Sequence, residues 1–115
     1  MVQIDSHLEI FRRIGFACHR YVEPLMATDF SWRGEFDNRE LNRLHAEAFG
    51  HRVFDGEEWD WVRQVSDHSL GWVVAREDGD LIGFLNVPWD GLVHAWLQDV
   101  MVAASARGRG IGVAM

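Results

Sequence analysis

The sequence predicts an α+β domain in which an antiparallel meander of strands is flanked by helices. Two stretches of apolar residues with helical spacing come first, over 38–49 and 57–67. From residue 71 onwards the pattern changes to β-rich runs separated by Asp-Gly pairs, which favour tight turns between antiparallel strands. The length of 115 residues suits one such domain.

A separate segment precedes this domain. It begins with Ser6 and Glu9, whose spacing is that of a capping box at the start of a helix. Apolar residues then recur at helical spacing, at Leu8, Phe11, Ile14, Cys18 and Leu25. Pro24 predicts the end of this helix, because proline disfavours helical geometry in the residue before it. The sequence therefore divides into an extra amphipathic helical segment over 1–25 and a domain over 26–115.

The domain begins with a short strand and a helix. Residues 30–33 alternate enough to predict a strand. Asp37 and Glu40 form a second capping box, and Gly50 is a residue type that commonly ends helices, so a helix is predicted over 38–49. Its predicted inner face consists of Leu41, Leu44, His45, Ala48 and Phe49.

A second helix is predicted to start near Asp55 or Gly56 and to continue to residue 67. Its first turn holds carboxylates that favour the positive end of the helix dipole, namely Glu57, Glu58 and Asp60. The predicted buried side consists of Trp61, Val62 and Val65. The acidic cluster indicates a solvated helix start, and the alternative is that it attracts a cationic substrate.

Three strands follow these helices. The runs over 72–76 and 81–87 are rich in β-forming residues, and Asp78-Gly79 between them predicts a hairpin because its turn needs positive φ angles. A second Asp-Gly pair at 90–91 leads into another strand-like run over 93–102. The three strands are therefore predicted to form a meander.

Composition excludes several classes of function. The formal net charge of −7 argues against binding nucleic acid through its phosphates, which needs a basic face. The single cysteine, Cys18, excludes an internal disulfide, and no apolar run approaches the ~18 residues of a membrane span. No histidine has metal-ligand spacing with Cys18 or with another histidine. We expect a cytoplasmic protein with no membrane, nucleic-acid or metal partner.

The end of the chain is a glycine-rich turn. Glycines at 108, 110 and 112 let the main chain pass close to a ligand, and Arg107 and Arg109 add positive charge. A helix that starts near Gly110 would present unpaired amides and the positive end of its dipole to an anion. The ligand that fits such a turn is a diphosphate, and the alternative is a surface turn rich in glycine.

The sequence resembles the GNAT N-acetyltransferases. Residues 107–112 fit the family pattern Arg/Gln-x-x-Gly-x-Gly/Ala, and Asp99-Val100-Met101-Val102 fits the strand before it. The resemblance covers roughly residues 28–115, and "WRGEF", "LHAEAFGH" and "GWVVARE" look like actinobacterial members. One departure is Ala104, where many members have proline.

This resemblance implies a GNAT-like mixed sheet and the transfer of an acetyl group from acetyl-coenzyme A, a co-substrate, to an amine. The acceptor would be a small molecule or a protein. In the family, the end of the strand binds the pantetheine arm and the turn binds the pyrophosphate through its amides. The corresponding residues here are Val100, Met101, Val102, Arg107, Gly108, Arg109, Gly110, Ile111, Gly112 and Val113.

Acyl transfer to an amine needs a base, and two residues of the last strand run are candidates. Asp99 has a suitable side chain close to the end of the strand, although alternation places it opposite Trp96, Gln98 and Val100 and a structural role is the alternative. His94 shares the face of Trp96, and its alternative role is that of an accessible polar residue.

The resemblance also predicts an incomplete domain. Members of the family continue beyond the turn with further helices and strands, so 26–115 is expected to be a partial domain that lacks the C-terminal half. The strand that ends at Val102 would then have an unpaired edge, from which we expect a homo-oligomer. The alternative function is a catalytically incompetent half-domain that acts as a structural or interaction module.

Overall fold

The computed structural model describes residues 27–115, and the helix predicted over 1–25 lies outside the described residues. The elements in chain order are β1 (Asp29–Trp32), α1 (Asn38–Phe49), α2 (Trp61–His68), β2 (Ser69–Glu77), β3 (Asp80–Pro88), β4 (Gln98–Val102), a short 3₁₀ turn (Ala104–Ala106) and α3 (Ile111–Ala114). The strands form one sheet in the order β1-β2-β3-β4. No helix within 27–115 has the length and apolar character that crossing a membrane requires.

All neighbouring strands in this part of the chain pair antiparallel. In the register, Val74 of β2 lies opposite Phe84 of β3, and Phe84 lies opposite Met101 of β4. The hairpin turn between β2 and β3 has positive φ angles of 51° at Asp78 and 82° at Gly79, as the Asp-Gly pair predicts. The predicted α+β fold with an antiparallel meander is therefore confirmed.

Helices cover both faces of the sheet. Phe84 points toward α1 and α2, where its ring centroid lies 6.3 Å from that of Trp61. Gly83 points to the other face, because successive side chains of a strand alternate. A β-carbon at Gly83 would lie 3.0 Å from Met115 Sδ, which immediately follows α3. Consequently α1 and α2 lie on one face of the sheet and α3 lies on the other.

Helix α1 has the predicted limits. The carboxylate of Asp37 accepts a hydrogen bond from the Glu40 amide at 2.7 Å, and the carboxylate of Glu40 accepts one from the Asp37 amide at 2.9 Å. Gly50 ends the helix in the left-handed conformation, with φ at 71°. Both ends are fixed by local interactions, which explains why the sequence predicts them.

Helix α2 begins later than predicted. The carboxylate of Asp55 accepts hydrogen bonds from the amides of Glu57 and Glu58, both at 2.9 Å, and closes a separate turn. Asp60 then caps α2 by accepting a hydrogen bond from the Arg63 amide at 3.1 Å. The helix therefore starts at Trp61 rather than at residue 57.

The inner side of α2 is partly as predicted. Trp61 and Val65 are buried, whereas Val62 is 42% exposed, so the prediction that it is buried is wrong. The buried amide of Asn42 joins α1 to the segment before α2. Its oxygen accepts a hydrogen bond from Trp61 Nε1 at 2.9 Å, and its nitrogen donates to the carbonyl of Trp59 at 3.1 Å.

A glycine of β2 makes room for an indole of β1. A β-carbon at Gly71 would lie 2.1 Å from Trp32 Cζ2, a distance that no side chain permits. Trp32 packs against the hydrophobic core from this position. Glycine at 71 is therefore required by close packing.

Strand β4 is shorter than the predicted run over 93–102. The carboxylate of Asp90 accepts hydrogen bonds from the amides of Leu92, Val93 and His94 at 2.8, 3.0 and 3.1 Å, which folds these residues into a loop. The strand begins only at Gln98. The prediction that the strand starts at residue 93 is wrong.

Candidate functional site

A bulge interrupts β4 at Asp99. The pairs Phe84–Met101 and Asn86–Gln98 match a step of two residues on β3 with a step of three on β4. The extra residue is accommodated by Asp99, which has a φ of 53°, a value that non-glycine residues seldom adopt. Side chains therefore do not alternate regularly through this segment, and the alternation used above to place Asp99 does not hold.

The edge of β4 that faces away from β3 has no strand beside it within residues 27–115. Val100 is 46% exposed and Val102 is half-buried, so both have surface available to a ligand. Met101 is only 1% exposed, because its side chain is part of the hydrophobic core. Of these three predicted contact residues, Met101 can contact a ligand only through its main-chain atoms.

The glycine-rich turn depends on backbone conformations that favour glycine. Gly108 and Gly110 both have a φ of 78°, and a β-carbon at either position would have no atom within 4 Å. Arg107 holds the turn against β4, because its Nε donates a hydrogen bond to the carbonyl of Val102 at 3.1 Å. The turn is therefore an open surface of main chain beside the end of β4.

The first turn of α3 adds amide donors to this surface. The first hydrogen bond along the helix joins the Ala114 amide to the Gly110 carbonyl at 3.0 Å. The amides of Ile111, Gly112 and Val113 precede it and have no partner inside the helix. A β-carbon at Gly112 would lie 3.7 Å from Val102 Cγ2, so the glycine leaves space between the helix start and the strand. These groups fit a diphosphate.

The two arginines of the turn have different surroundings. Arg109 forms an ion pair with Glu77 of β2. This hydrogen-bonded contact holds the pKa of Glu77 below its usual range. Arg109 therefore connects the turn to β2, and its charge is offset by Glu77. Arg107 is exposed and forms no ion pair with an acidic residue of the described region, so its charge is available to an anion.

His94 lies on the loop before β4. Its Nδ1 and the carboxylate of Asp90 are 3.0 Å apart, and its side chain is 80% exposed. Hydrogen bonds from loop amides, above all that of Leu92, lower the pKa of Asp90 to about 2. Asp99 receives a hydrogen bond of 3.4 Å from Gln98. In the region described, no hydrogen bond joins His94 to Asp99, so the two predicted catalytic residues do not form a pair.

A pair of histidines joins α1 to the loop that follows it. His45 of α1 is 7% exposed, and its Nδ1 lies 2.6 Å from Nε2 of His51. His51 Nδ1 lies 2.6 Å from the carbonyl oxygen of Arg52. Burial is the main cause that lowers the pKa of His45, His51 lowers it further, and the charge of Asp99 opposes both. The sequence predicts His45 on the inner face of α1, but its spacing of six residues from His51 does not indicate this pair.

A groove of about 620 Å³ lies between α2 and the ends of β3 and β4. Its walls include Asp60, Asp67, Asn86, Trp96 and Gln98. Within the described residues, no group of three or more histidine, cysteine or acidic side chains is arranged to hold a metal ion. Most of the side chains that line the groove are polar, and the groove lies next to the bulge of β4.

Several solved structures are similar to this one. A GNAT family acetyltransferase of Streptococcus pneumoniae has 19% identity and a TM-score of 0.57, with 75% of this chain and 60% of that chain covered. A GNAT family N-acetyltransferase of Escherichia coli in complex with CoA has 18% identity, a TM-score of 0.59, and coverage of 79% and 53%. A Brucella melitensis GNAT acetyltransferase in complex with acetyl-CoA has 25% identity, a TM-score of 0.54, and coverage of 74% and 62%.

The chain thus spans between about half and two thirds of the length of these relatives. No curated protein sequence matches it significantly. The family model described as acetyltransferase (GNAT) family matches residues 38–115, which is more than half of the chain. The chain belongs to the GNAT acetyltransferase family.

Proposed function

We propose that this protein takes part in acetyl transfer from acetyl-coenzyme A to an amine. The observation that carries the proposal is the open turn around Gly108 and Gly110, which presents the amides of α3 next to the free edge of β4. Family membership and the coenzyme complexes of the Escherichia coli and Brucella melitensis relatives support it.

In this proposal, the main chain between Gly108 and Val113 binds the pyrophosphate, and Arg107 supplies a positive charge. The pantetheine arm lies along the outer edge of β4, in contact with the exposed sides of Val100 and Val102 and with main-chain atoms of Met101. Gly112 keeps the space between the strand and the helix free. Arg109 contributes by holding the turn in place through Glu77.

The chemistry is direct attack of the amine on the thioester. The nitrogen forms a bond to the acetyl carbon, the bond between carbon and sulfur breaks, and the sulfur leaves with the electron pair. The nitrogen loses one proton, so a base near the thioester accelerates the step. Asp99 and His94 are the candidates from the sequence, and Asp99 lies at the bulge of the strand that would hold the pantetheine.

The acceptor amine is proposed to enter through the groove between α2 and the ends of β3 and β4. Gln98, which forms part of the wall of this groove, is the neighbour of Asp99 in β4. Asp60 adds a carboxylate that attracts a cationic amine, whereas the charge of Asp67 is offset by Arg63, whose Nε lies 3.7 Å from Asp67 Oδ2. These residues support an amine acceptor without distinguishing a small molecule from a protein.

Calorimetric titration of the full chain with acetyl-coenzyme A tests the binding step. We expect saturable binding, and weaker binding of a coenzyme that lacks its pyrophosphate, since the amides of α3 are proposed to bind this group. A thiol-release assay with a panel of small amines and peptides then tests transfer. If the titration gives no heat of binding at several temperatures, the proposal is wrong.

An interaction module without catalysis is the second candidate. Large apolar side chains of β4 and of the loop before it are exposed, at Leu92, Val93, Trp96, Leu97 and Val100. Exposed strand edges and apolar patches favour association, and the proposed partner is a second copy of this chain. Light scattering at several concentrations tests this. A monomer at every concentration would contradict it.

A further inference from the structure

Asn86 of β3 is a buried residue in the wall of the groove between α2 and the ends of β3 and β4. We propose that its Nδ2 donates a hydrogen bond to a carbonyl oxygen of the acceptor, and that the acceptor is a primary amine whose nitrogen lies a few bonds from this carbonyl group. Amino acid amides and the first residue of a peptide have this chemistry. The inference rests on the proposed function and names the substrate class of its groove.

Asn86 interrupts an apolar stretch of β3. The residues over 82–88 are all buried, and Asn86 is the one among them with a polar side chain. Burying an amide costs free energy unless its polar atoms find hydrogen-bond partners, whereas an apolar side chain of similar size has none to satisfy. An asparagine at this position therefore has a role in a hydrogen bond, either within the protein or to a ligand.

The hydrogen bonds of Asn86 account for one of its two polar atoms. Oδ1 accepts a hydrogen bond from Ser69 Oγ at 2.5 Å, and within residues 27–115 Nδ2 donates to no protein atom. In the same part of the chain, no side-chain nitrogen or oxygen that is shielded from solvent lacks a partner. Nδ2 must therefore reach the surface of the groove, although the residue as a whole is only 1% exposed.

Asn42 shows how a structural asparagine is bonded in this protein. Its Oδ1 accepts a hydrogen bond from Trp61 Nε1 at 2.9 Å, and its Nδ2 donates to the carbonyls of Trp59 and Asp55 at 3.1 and 3.3 Å. Both N–H groups of this amide are thus used inside the protein. Asn86 is buried to the same degree, but its two N–H groups are left for solvent or a ligand.

The position of Asn86 determines which part of the acceptor it can bind. In the register, Asn86 lies opposite Gln98 of β4, which immediately precedes the bulge at Asp99 and also lines the groove. The thioester is proposed to lie along the outer edge of β4, so the reactive nitrogen must approach the same segment of strand. A molecule that reaches both places has its nitrogen only a few bonds from the oxygen bound at Asn86.

An N–H donor in the groove discriminates between amines. It bonds to an acceptor atom such as a carbonyl oxygen, which an ammonium group or an alkyl chain does not provide. An amine with a carbonyl oxygen replaces the solvent at Nδ2 without loss of a hydrogen bond, whereas an alkylamine of the same shape leaves Nδ2 unpaired. The groove of about 620 Å³ lies within the range of roughly 300–1,000 Å³ that is usual for small-molecule sites.

Nuclear magnetic resonance of the wild-type chain tests the contact directly. The probes are glycinamide and isobutylamine, two primary amines of the same shape, of which only glycinamide has a carbonyl group. We expect glycinamide to shift the side-chain amide signals of Asn86 saturably, at a concentration about 5- to 30-fold lower than isobutylamine requires. The side-chain amide of Asn42 is the internal control and should not respond. Signals of Asn86 that do not move, or that respond equally to both probes, overturn the inference.

Asn86→Asp removes the two N–H donors and keeps an oxygen that accepts from Ser69. In thiol-release kinetics, we expect the ratio of kcat/KM for glycinamide to that for isobutylamine to fall about 5- to 30-fold, while the calorimetric affinity for acetyl-coenzyme A stays within about threefold. Gln64→Glu adds the same charge to the wall of the same groove and keeps an acceptor for Trp59 Nε1, so this matched control should retain the wild-type ratio. A purely structural role of Asn86 predicts lower stability with an unchanged ratio, and that result overturns the inference.

The wild-type titration decides the question even if Asn86→Asp does not fold. A chain that binds acetyl-coenzyme A but not glycinamide at Asn86 overturns this inference and leaves the proposed function intact. A chain that binds glycinamide at Asn86 but no acetyl-coenzyme A contradicts the proposed function instead. Amidated triglycine presents the same chemical unit within a peptide, so its affinity relative to glycinamide distinguishes a peptide from a small molecule as the source of the carbonyl group.

Discussion

The guanidinium of Arg109 and the carboxylate of Glu77 form an ion pair that joins the glycine-rich turn to the end of β2. Arg109 Nη1 also lies 3.2 Å from Glu77 Oε1, and Thr28 Oγ1 donates to the same carboxylate at 3.2 Å. The turn follows β4 in the chain but is attached to a strand two places away in the sheet. The charge of Glu77 therefore affects the position of the turn.

Loss of this charge should destabilise the protein in a pH-dependent way. The hydrogen bond from Arg109 places the folded-state pKa of Glu77 below its unfolded value of about 4.3. The stabilisation is thus present above that value and is lost as the pH falls through the folded-state pKa. Urea unfolding of wild type and Glu77→Gln should differ at pH 7, and the difference should be smaller at pH 3. Glu35→Gln, at an exposed position, is the control, and an equal difference at both pH values would contradict the prediction.

Gly110→Ala should weaken coenzyme binding by more than its loss of folding stability explains. Alanine at a φ of 78° costs about 1–2 kcal/mol, and its β-carbon would project into the space proposed for the diphosphate. Gly79→Ala is a matched control, since Gly79 has a φ of 82° and equally open surroundings in the β2–β3 turn. Both variants should unfold at lower urea concentration, and only Gly110→Ala should bind acetyl-coenzyme A weakly in calorimetry. Equal affinities would refute this placement of the diphosphate.

A milder version of the same test uses Gly112→Ala. The new β-carbon would have an ordinary contact of 3.7 Å with Val102, so the fold should tolerate it. Alanine also favours the helix that follows Gly110. We expect unchanged or slightly higher stability together with weaker coenzyme binding. Normal affinity would show that the space beside Gly112 is not part of the binding site.

Replacing Asn42 should be among the most destabilising changes on α1. Asn42→Leu removes the partner of Trp61 Nε1 and of the Trp59 carbonyl inside the core. Leaving these groups unpaired costs about 2–4 kcal/mol. Chemical unfolding measures the loss, and Arg43→Ala at the exposed neighbouring position should change stability by less than about 0.5 kcal/mol.

Asp90 and His94 should have separable effects on the loop before β4. Asp90→Ala removes the acceptor of three loop amides and should abolish their protection from hydrogen exchange. His94→Gln leaves these bonds in place and should preserve the protection. The same variant tests whether His94 is a base, because a catalytic role predicts a large fall in kcat. A change of less than about threefold would contradict that role.

The sequence predicts the elements whose ends are fixed by neighbouring residues. The limits of α1 follow from the capping box at Asp37 and from Gly50, both of which act within a few residues. The hairpin at Asp78-Gly79 has the same local origin. The start of α2 was misplaced because Asp55 and Asp60 are both capping residues, so two consecutive turns resemble one longer helix.

Long-range relationships in the site were not predictable in this way. The contact between His45 and His51 depends on the left-handed residue Gly50, which reverses the chain between them, and residues six apart on a regular helix do not meet. The bulge at Asp99 depends on the register between β3 and β4, which no local pattern reveals. The glycine turn was predictable because its backbone conformations select a specific residue type.

The close packing of Trp32 against Gly71 has a consequence for the evolution of this sheet. A side chain at position 71 would occupy the volume of the indole, so a larger residue at 71 requires a smaller one at 32. In homologous sequences we therefore expect covariation between them, with a larger residue at 71 accompanied by a smaller one at 32. A mutational path from one arrangement to the other must pass through the cavity left by a smaller residue at 32, because the alternative intermediate contains a steric overlap.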